Sequence, residues 1–289
     1  MIVNEPSAAT AGMSSPSAPS AEIAELELAI LLDSLYRLTG YDFREYAITM
    51  VKRRVAERVR AEGLSTVTGL LERSLHDQQV LTRLLDALTS RPSVPFTDPA
   101  FFQTLARAVV PWLRTFPAVR TWIIGSASDA YSVAILLREH GLESRTRIYT
   151  TKPTHTAYER AQGGFLAAEA VQEAGHLYAE SGGRYDFGRY VQQERDGARF
   201  VPELRENIVF SKHHLPSDGS FNEFHLIIAR GIFSFYGPAA AYRAHRTIYQ
   251  SLARLGIVTF GGVSALGVTP HAGAYEPLPD AEGFFKRIR

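Results

Sequence analysis

The sequence predicts an α/β protein in which a small all-helical domain leads into a doubly wound, mainly parallel sheet. Apolar residues recur at helical spacing from residue 22 to residue 88. From Val119 onward, short apolar runs alternate with amphipathic helices, and short aromatic and β-branched runs at 185–210 are typical of a small antiparallel insertion. We therefore expect a disordered tail at 1–21, a helical domain at 22–90, a linker and helix at 91–113, and the α/β domain at 114–289.

The helical domain follows from apolar residues that repeat every three or four positions. They are Leu28, Leu31, Leu32, Leu35, Val51, Val55, Val59, Leu81, Leu84, Leu85 and Leu88. Gly40 and Gly63 stand where helix ends are expected, so we predict three or four helices in a compact bundle. The tail before them is rich in Ser, Ala and Pro, and it holds too few apolar side chains to offset the entropy of ordering.

Prolines at positions 92, 95 and 99 then interrupt the helical pattern and mark the linker, which is followed by a helix at 100–113. Beyond it we predict strands at 121–124, 147–151, 224–229 and 257–260, and helices at 131–139 and 241–252. In a doubly wound sheet, ligands bind beyond the carboxyl ends of the strands, where the winding reverses. Residues 125–130, 150–154 and 229–236 should therefore form the functional site.

Composition narrows the classes of partner and compartment. The 31 basic and 30 acidic residues give a net charge of +1, so no overall field favours nucleic acid or an anionic membrane. The absence of cysteine excludes disulfides, thiolate metal sites and a cysteine nucleophile. No apolar run approaches the roughly 20 residues needed to span a bilayer, and the N-terminus lacks the pattern of a signal peptide. We expect a cytoplasmic protein that neither binds nucleic acid nor inserts into a membrane.

Six segments resemble, in the same order, the CheR chemotaxis receptor methyltransferases. They are the helical segment 38–58 with its glycine, tyrosine and paired arginines, the linker 93–102, the turn at 122–132, and the segments 148–153, 224–230 and 252–266. The resemblance implies a Rossmann-like S-adenosylmethionine methyltransferase fold. It also implies that members with an intact site transfer a methyl group from S-adenosylmethionine to receptor glutamates.

The resemblance implies a cofactor site formed by Ser93, Gly125, Ser126, Asp129, Lys152 and Gly231. The family's turn after the first strand is about two residues longer, so Gly125 and Asp129 are left to approach the cofactor and to accept from its ammonium group. The family's second strand ends in an aspartate, which accepts hydrogen bonds from the ribose hydroxyls, but this chain has Lys152 there. A lysine cannot accept a hydrogen bond, so that interaction is lost.

The catalytic residues that the resemblance implies are Arg230 and Tyr236. Arg230 is the part of the family's Cys-Arg-Asn motif that this chain keeps. The tyrosine that follows in the family aligns with Phe235, and Tyr236 is its neighbour, although a shift of one residue along a helix turns a side chain by about 100°. The family's linker arginine, near the transferring methyl group, aligns with Thr97, and the asparagine before it aligns with Arg91.

A basic helix is the candidate partner-binding surface. Arg53, Arg54 and Arg58 lie on a predicted helix whose valines point to the opposite face. The resemblance implies that this basic face meets a negatively charged receptor or another signalling protein. The alternative is a solvated face on which the arginines pair with Glu57 and Glu62.

The sequence leaves two functional classes open. One is an active protein-glutamate O-methyltransferase with a divergent S-adenosylmethionine site, since the enzyme mainly has to align two reactants. The other, which the changed site residues favour, is a non-catalytic binding or regulatory module of bacterial chemosensory signalling. Lys152 is then either a replacement without a role or a contact for the phosphate of a nucleotide. The histidines do not have the spacing of metal ligands, so we expect no metal.

Overall fold

The computed structural model describes residues 21–89, 94–261, 266 and 269–289. The helical domain comes first, with α1 at Ala21–Thr39, α2 at Ile48–Ala61, α3 at Val67–His76 and α4 at Gln78–Thr89. Leu31, Val55 and Leu84 of the predicted repeat lie in the apolar cluster between these helices. The predicted all-helical domain is confirmed. The predicted tail lies outside the described residues, apart from Ala21.

Three consecutive helical segments connect the helical domain to the sheet. They are α5 at Pro99–Thr104, a π-helical turn at Leu105–Val109 and α6 at Val110–Leu113. Asp98 starts α5, because its side chain accepts a hydrogen bond from the Phe101 N–H at 3.2 Å. The larger helices that follow are α7 at Ala127–Glu139, α8 at His155–Gly163 and α9 at Ala168–Glu180, and later come the short α10 at Pro202–Arg205 and α11 at Pro238–Ser251.

Among the residues that the structure describes, ten strands form two sheets. In chain order they are β1 Val119–Ile124, β2 Thr146–Lys152, β3 Phe165–Ala167, β4 Val191–Glu194, β5 Gly197–Phe200, β6 Ile208–Lys212, β7 Phe224–Ile228, β8 Leu252–Thr259, β9 Tyr275–Pro277 and β10 Phe284–Arg287. The main sheet has the order β6–β2–β1–β7–β8–β10–β9. Its first five strands are parallel, and β10 runs antiparallel to both β8 and β9. The predicted doubly wound fold is confirmed.

The topology of the main sheet fixes where a ligand can bind. From β1 the chain winds outward through β2 and β6, and it then returns to β7 and β8 on the other side of β1. The winding therefore reverses between β1 and β7. Beyond the carboxyl ends of these strands the loops diverge and leave a crevice.

The small antiparallel sheet differs in membership from the insertion that we predicted at 185–210. Its order is β3–β5–β4, so one of its strands comes from before this range. The β6 strand, at the end of the predicted range, instead pairs in parallel with β2 in the main sheet. The physical reason is that β6 is an edge strand with a half-exposed face, and such a strand has the same residue pattern as a strand of a surface insertion.

A short backbone bridge holds the helical domain against the sheet domain. Tyr46 and Tyr236 pair in antiparallel orientation. On either side of this pair, the N–H groups of Ala47 and Gly237 donate to carbonyls across the bridge at 2.9 and 2.7 Å. The segment that carries the candidate catalytic tyrosine is therefore also an interdomain contact. Within the described part of the chain, no helix is long and apolar enough to cross a membrane.

Candidate functional site

A cavity of about 780 Å³ opens beyond the carboxyl ends of β1, β2 and β7 and against the helical domain. Residues from all three predicted segments, 125–130, 150–154 and 229–236, contribute to its lining. Tyr46 and Thr89 line it from the helical domain. The cavity has a sheet wall, formed by the β1–α7 turn and the end of β2, and an interdomain wall, formed by Tyr46, His214 and Tyr236.

The β1–α7 turn is built from the residues that the sequence singled out. Gly125 has φ +102°, and a Cβ atom there would lie 3.0 Å from Cγ2 of Ile232, so this position requires glycine for its backbone and its packing. The Ser126 side chain caps α7 by accepting a hydrogen bond from the Asp129 N–H at 3.2 Å. Ser126 and Asp129 are buried, with 7% and 8% of their surface exposed, and both line the cavity.

Lys152 ends β2 and is also buried, with 7% of its surface exposed. Its ammonium group donates a hydrogen bond to the Gly125 carbonyl and so links the ends of β2 and β1. Burial lowers the pKa of the Lys152 amine to about 8, while the negative charge of Asp129 acts in the opposite direction. The end of β2 therefore presents hydrogen-bond donors and a positive charge.

Arg230 lies at the end of β7 and lines the cavity, but its guanidinium is engaged by the linker. Arg230 Nη2 donates to Asp98 Oδ2 at 2.8 Å, and the guanidinium lies 4.0 Å from the centre of the Phe101 ring. Gly231 does not line the cavity, and its N–H donates to the Phe260 carbonyl at 3.4 Å. Arg230 can therefore hold the linker in place, or it can contact a ligand after its ion pair with Asp98 breaks.

Tyr236 lies on the interdomain wall, where its ring packs edge-on against the Tyr46 ring at 5.3 Å. Burial raises the pKa of the Tyr236 hydroxyl, so it stays protonated. Phe235, which aligns with the family's tyrosine, and Thr97, which aligns with its linker arginine, also line the cavity. Ser93 lies outside the described residues, so the structure does not place this predicted cofactor residue.

Two family models match the chain. "CheR methyltransferase, all-alpha domain" matches residues 26–89, and "CheR methyltransferase, SAM binding domain" matches residues 93–275. The chain belongs to the CheR methyltransferase family. The resemblance found in the sequence is confirmed, and the cavity lies in the part that matches the cofactor-binding domain of CheR proteins.

Two curated relatives agree with this assignment to the CheR family, and one solved structure is similar to part of the chain without bearing on the assignment. A Pseudomonas putida protein named "Putative methyltransferase Cher3" is 33% identical over 265 residues, which cover 91% of this chain and 97% of the relative. A Listeria innocua "Chemotaxis protein methyltransferase" is 22% identical over 227 residues, which cover 77% of this chain and 84% of the relative. A solved S-adenosylmethionine-dependent methyltransferase from Geobacter sulfurreducens, in complex with S-adenosylhomocysteine, is 12% identical with a TM-score of 0.32, covering 62% of this chain and 54% of that chain.

The basic helix α2 is less exposed in this CheR-family protein than the sequence predicted. The Arg54 guanidinium donates to two carbonyls at the end of α4, at 2.8 and 3.0 Å, and lies over the Phe235 ring. Arg58 pairs with Glu62 at 3.2 Å and is mostly covered. The reason is that α4 ends against this face of α2, and its last carbonyls need donors. Arg53, with 68% of its side chain exposed, remains on the surface.

Sequence analysis missed the polar chain on the interdomain wall. The Tyr46 hydroxyl shares a hydrogen bond with His214 Nε2 at 3.0 Å, and His214 Nδ1 shares one with Ser217 Oγ at 2.8 Å. The Asp218 carboxylate accepts from Ser217 Oγ at 3.0 Å and from the His214 N–H at 2.7 Å. Burial lowers the pKa of His214, which favours the neutral ring. Tyr46 and His214 are 168 residues apart, so no local pattern joins them.

A metal centre has no support in the described residues, since no group of three His, Asp or Glu side chains there is placed to hold a metal ion.

Proposed function

We propose that this CheR-family protein is a non-catalytic binding or regulatory module of bacterial chemosensory signalling in the cytoplasm, and that it does not use S-adenosylmethionine as a methyl donor. One observation carries the proposal: the buried ammonium of Lys152 lies at the end of β2, on the Gly125 carbonyl. In the family, as the resemblance implies, this strand end provides a carboxylate for the cofactor ribose.

The chemistry of the sheet wall at the end of β2 disfavours S-adenosylmethionine. The ligand carries two cationic groups, the sulfonium and the ammonium, against one carboxylate, and at the end of β2 its ribose hydroxyls need acceptors. Lys152 supplies a further positive charge and no acceptor. A hydroxyl left unpaired in a closed site costs roughly 1–3 kcal/mol, which is about one or two powers of ten in affinity. The nearby Asp129 carboxylate replaces only part of the negative charge that the family has at this site, because it also interacts with the Lys152 ammonium.

The position of Arg230 supports the same proposal. A catalytic arginine has to reach the reacting groups, whereas Arg230 is held between Asp98 and the Phe101 ring. Releasing it would break a charge-assisted hydrogen bond and a cation–π contact. In a non-catalytic protein the same contacts have a structural role, because they fix the linker against the end of β7.

Calorimetric titration with S-adenosylmethionine and S-adenosylhomocysteine tests the proposal. We expect no binding to the wild-type protein up to about 1 mM ligand. The reverse substitution, Lys152→Asp, restores the family's acceptor and should give measurable S-adenosylhomocysteine binding. Lys212→Asp is the matched control, because Lys212 is the register partner of Lys152 on β6 but is exposed and outside the cavity lining. Micromolar binding to the wild type, together with methyl transfer, would show that the proposal is wrong.

An active protein-glutamate O-methyltransferase is the second candidate, and one observation favours it. The cavity remains open, and the Tyr236 hydroxyl on its lining has no hydrogen-bond partner among the described residues. Such a hydroxyl could orient a ligand. Transfer of radiolabelled methyl from S-adenosylmethionine to the cytoplasmic part of a chemosensory receptor would support this candidate if Tyr236→Phe abolished the signal.

Partner binding through α2 stays a proposal and now depends on fewer residues. Arg53 is exposed and pairs only loosely with Glu57, at 3.9 Å. We expect Arg53→Glu to weaken binding to an acidic receptor or signalling partner, because it reverses an accessible charge. Arg37→Glu on α1 is a suitable control, since Arg37 is likewise exposed but lies outside the α2 face.

A further inference from the structure

The cavity combines a helix start, a buried cation and aromatic rings in one place. It lies where the winding of the sheet reverses, which is the place where doubly wound folds hold nucleotides. The 13-residue helix α7 begins there, and residues 125–129 all line the cavity. Because peptide dipoles align along a helix, the first turn of α7 contributes a partial positive charge to the cavity.

Lys152 adds a full positive charge at the same point. Its hydrogen bond to the Gly125 carbonyl fixes the ammonium beside the start of α7, and its burial limits screening by solvent. The described lining holds three cations, Lys152, Arg160 and Arg230, against two carboxylates, Asp129 and Glu173. Arg160 and Arg230 are paired with Asp86 and Asp98, so the cation available to a ligand at the start of α7 is Lys152, with Asp129 nearby. Together with the partial charge of the helix start, the Lys152 ammonium favours a ligand that carries negative charge at this point.

Another side of the lining is aromatic. Tyr131 and Phe200 are buried and stack on each other, with ring centres 4.0 Å apart and planes 6° apart, and Phe165, with 45% of its surface exposed, presents the accessible ring of this side. Arg160 also lines the cavity, and an ion pair with Asp86 at 2.7 Å orients its guanidinium. Aromatic faces and a guanidinium are the groups on which proteins stack a nucleobase.

We propose that this cavity binds a nucleoside diphosphate, whose phosphates lie at the start of α7 beside Lys152 and whose base lies on the aromatic side. This inference rests on the proposed function, because a site that still held S-adenosylmethionine would have no room for a second nucleotide at the same strand ends. The protein would then be a nucleotide-responsive relative of the methyltransferases.

Calorimetry of the full chain with ADP, GDP, CDP and UDP, each beside its unphosphorylated nucleoside, tests the inference. At least one diphosphate should bind at least about tenfold more tightly than its nucleoside, since the phosphates contribute charge-assisted hydrogen bonds. Lys152→Met should reduce that affinity about tenfold, and Lys212→Met should leave it unchanged. Circular dichroism and thermal unfolding establish that both variants are folded.

Proton uptake on ligand binding is a second measurement. It would not change if Lys152 had only a structural role. At pH 8 the Lys152 amine is about half protonated, because its pKa is lowered to about 8. An anion bound beside it raises that pKa, so binding takes up protons. Titrations in two buffers with different ionisation enthalpies measure this uptake, which should be absent in Lys152→Met.

The outcomes separate this inference from the proposed function. If none of the four diphosphates binds, or if Lys152→Met binds them as the wild type does, the inference is overturned while the absence of S-adenosylmethionine binding still stands. If inorganic phosphate competes as well as the nucleotides bind, the site holds an adventitious anion only, and the nucleotide inference fails. Binding and turnover of S-adenosylmethionine would overturn both.

Discussion

The two walls of the cavity satisfy their polar groups in different ways. On the sheet wall, one buried ammonium, that of Lys152, rests on a carbonyl beside Asp129. On the interdomain wall, neutral groups form a chain from Tyr46 through His214 to the exposed Asp218 carboxylate. The difference teaches that the sheet wall holds a buried charge at the strand ends, where a ligand would bind, while the interdomain wall joins Tyr46, His214 and Tyr236 through neutral hydrogen bonds and ring packing.

Lys152→Met should have the largest effect on stability, because it removes the buried charge. The folded-state pKa of Lys152 is about 8, against the ordinary 10.5, so the unfolded chain binds more protons between these values and wild-type stability rises with pH across this window. Below about pH 8 the buried charge costs up to about 3 kcal/mol, less the hydrogen bond to Gly125. The variant should therefore be more stable at pH 7, and its advantage should shrink toward pH 10.

Urea unfolding at several pH values measures this difference. Lys212→Met is the control, because Lys212 is the exposed register partner of Lys152 on β6, and its difference from the wild type should be small and flat with pH. A Lys152→Met protein that is less stable than the wild type at pH 7 would mean that the ammonium is a net stabilising group, and the contrast between the walls would disappear.

His245→Phe should have the next largest effect, and at the opposite end of the pH range. His245 lies behind the interdomain wall, 1% exposed and stacked on the Phe233 ring at 3.9 Å, and neither ring nitrogen has a hydrogen-bond partner among the described residues. Burial lowers the pKa of His245 to about 4, so its neutral form is favoured and stability is lost as pH falls from about 6.5 to 4.

Between pH 7 and pH 5 the wild-type protein should lose about 2 kcal/mol of its free energy of unfolding through His245. The His245→Phe variant should not show this loss. Denaturant unfolding at the two pH values measures it, with the exposed His76→Gln as a control that should behave like the wild type. If His245→Phe loses as much stability on acidification as the wild type, the acid sensitivity lies elsewhere.

Substitutions of Asp98 test how firmly the linker is joined to the end of β7. Asp98→Ala removes the cap of α5 and the pair with Arg230, and it places alanine at φ +74°, so it should cost about 2 kcal/mol. Asp98→Asn keeps the capping oxygen and tolerates the left-handed backbone, so it should cost less than about 1 kcal/mol. Thermal unfolding distinguishes the two. Equal losses would mean that the ion pair, rather than the cap and backbone, holds the linker.

Much of the fold could be predicted because it depends on local patterns. The repeat that includes Leu31 and Val55 marks faces that can be buried only against other helices, and these faces form the observed cluster. Gly125 was identified as a turn residue, and its positive φ requires glycine. Periodicity could not show that the end of α4 covers Arg54. The residue pattern of α2 shows which of its faces is polar, but not which other helix packs against that face.

The contacts within the candidate site could be predicted less well than the location of the site. The sequence indicated that Lys152 replaces an acceptor, but not that its ammonium reaches the carbonyl of Gly125 on the next strand. From the sequence, the histidines were weighed only as metal ligands, because nothing local connects His214 with Tyr46 in the other domain. Partners that are distant in the chain are set by the packing of the two domains.

The smallest effect is expected from Tyr46→Phe, which removes one hydroxyl from the interdomain wall and leaves its ring packing in place. The lost hydrogen bond to His214 Nε2 should cost about 1 kcal/mol, because both groups are neutral and the imidazole keeps its Ser217 partner. Tyr41→Phe is the control, since the Tyr41 ring lies 6.1 Å from the same imidazole but shares no hydrogen bond with it among the described residues. Urea unfolding of the two variants measures the difference. A loss of several kcal/mol in Tyr46→Phe would mean that the neutral chain, rather than the backbone bridge beside it, holds the domains together.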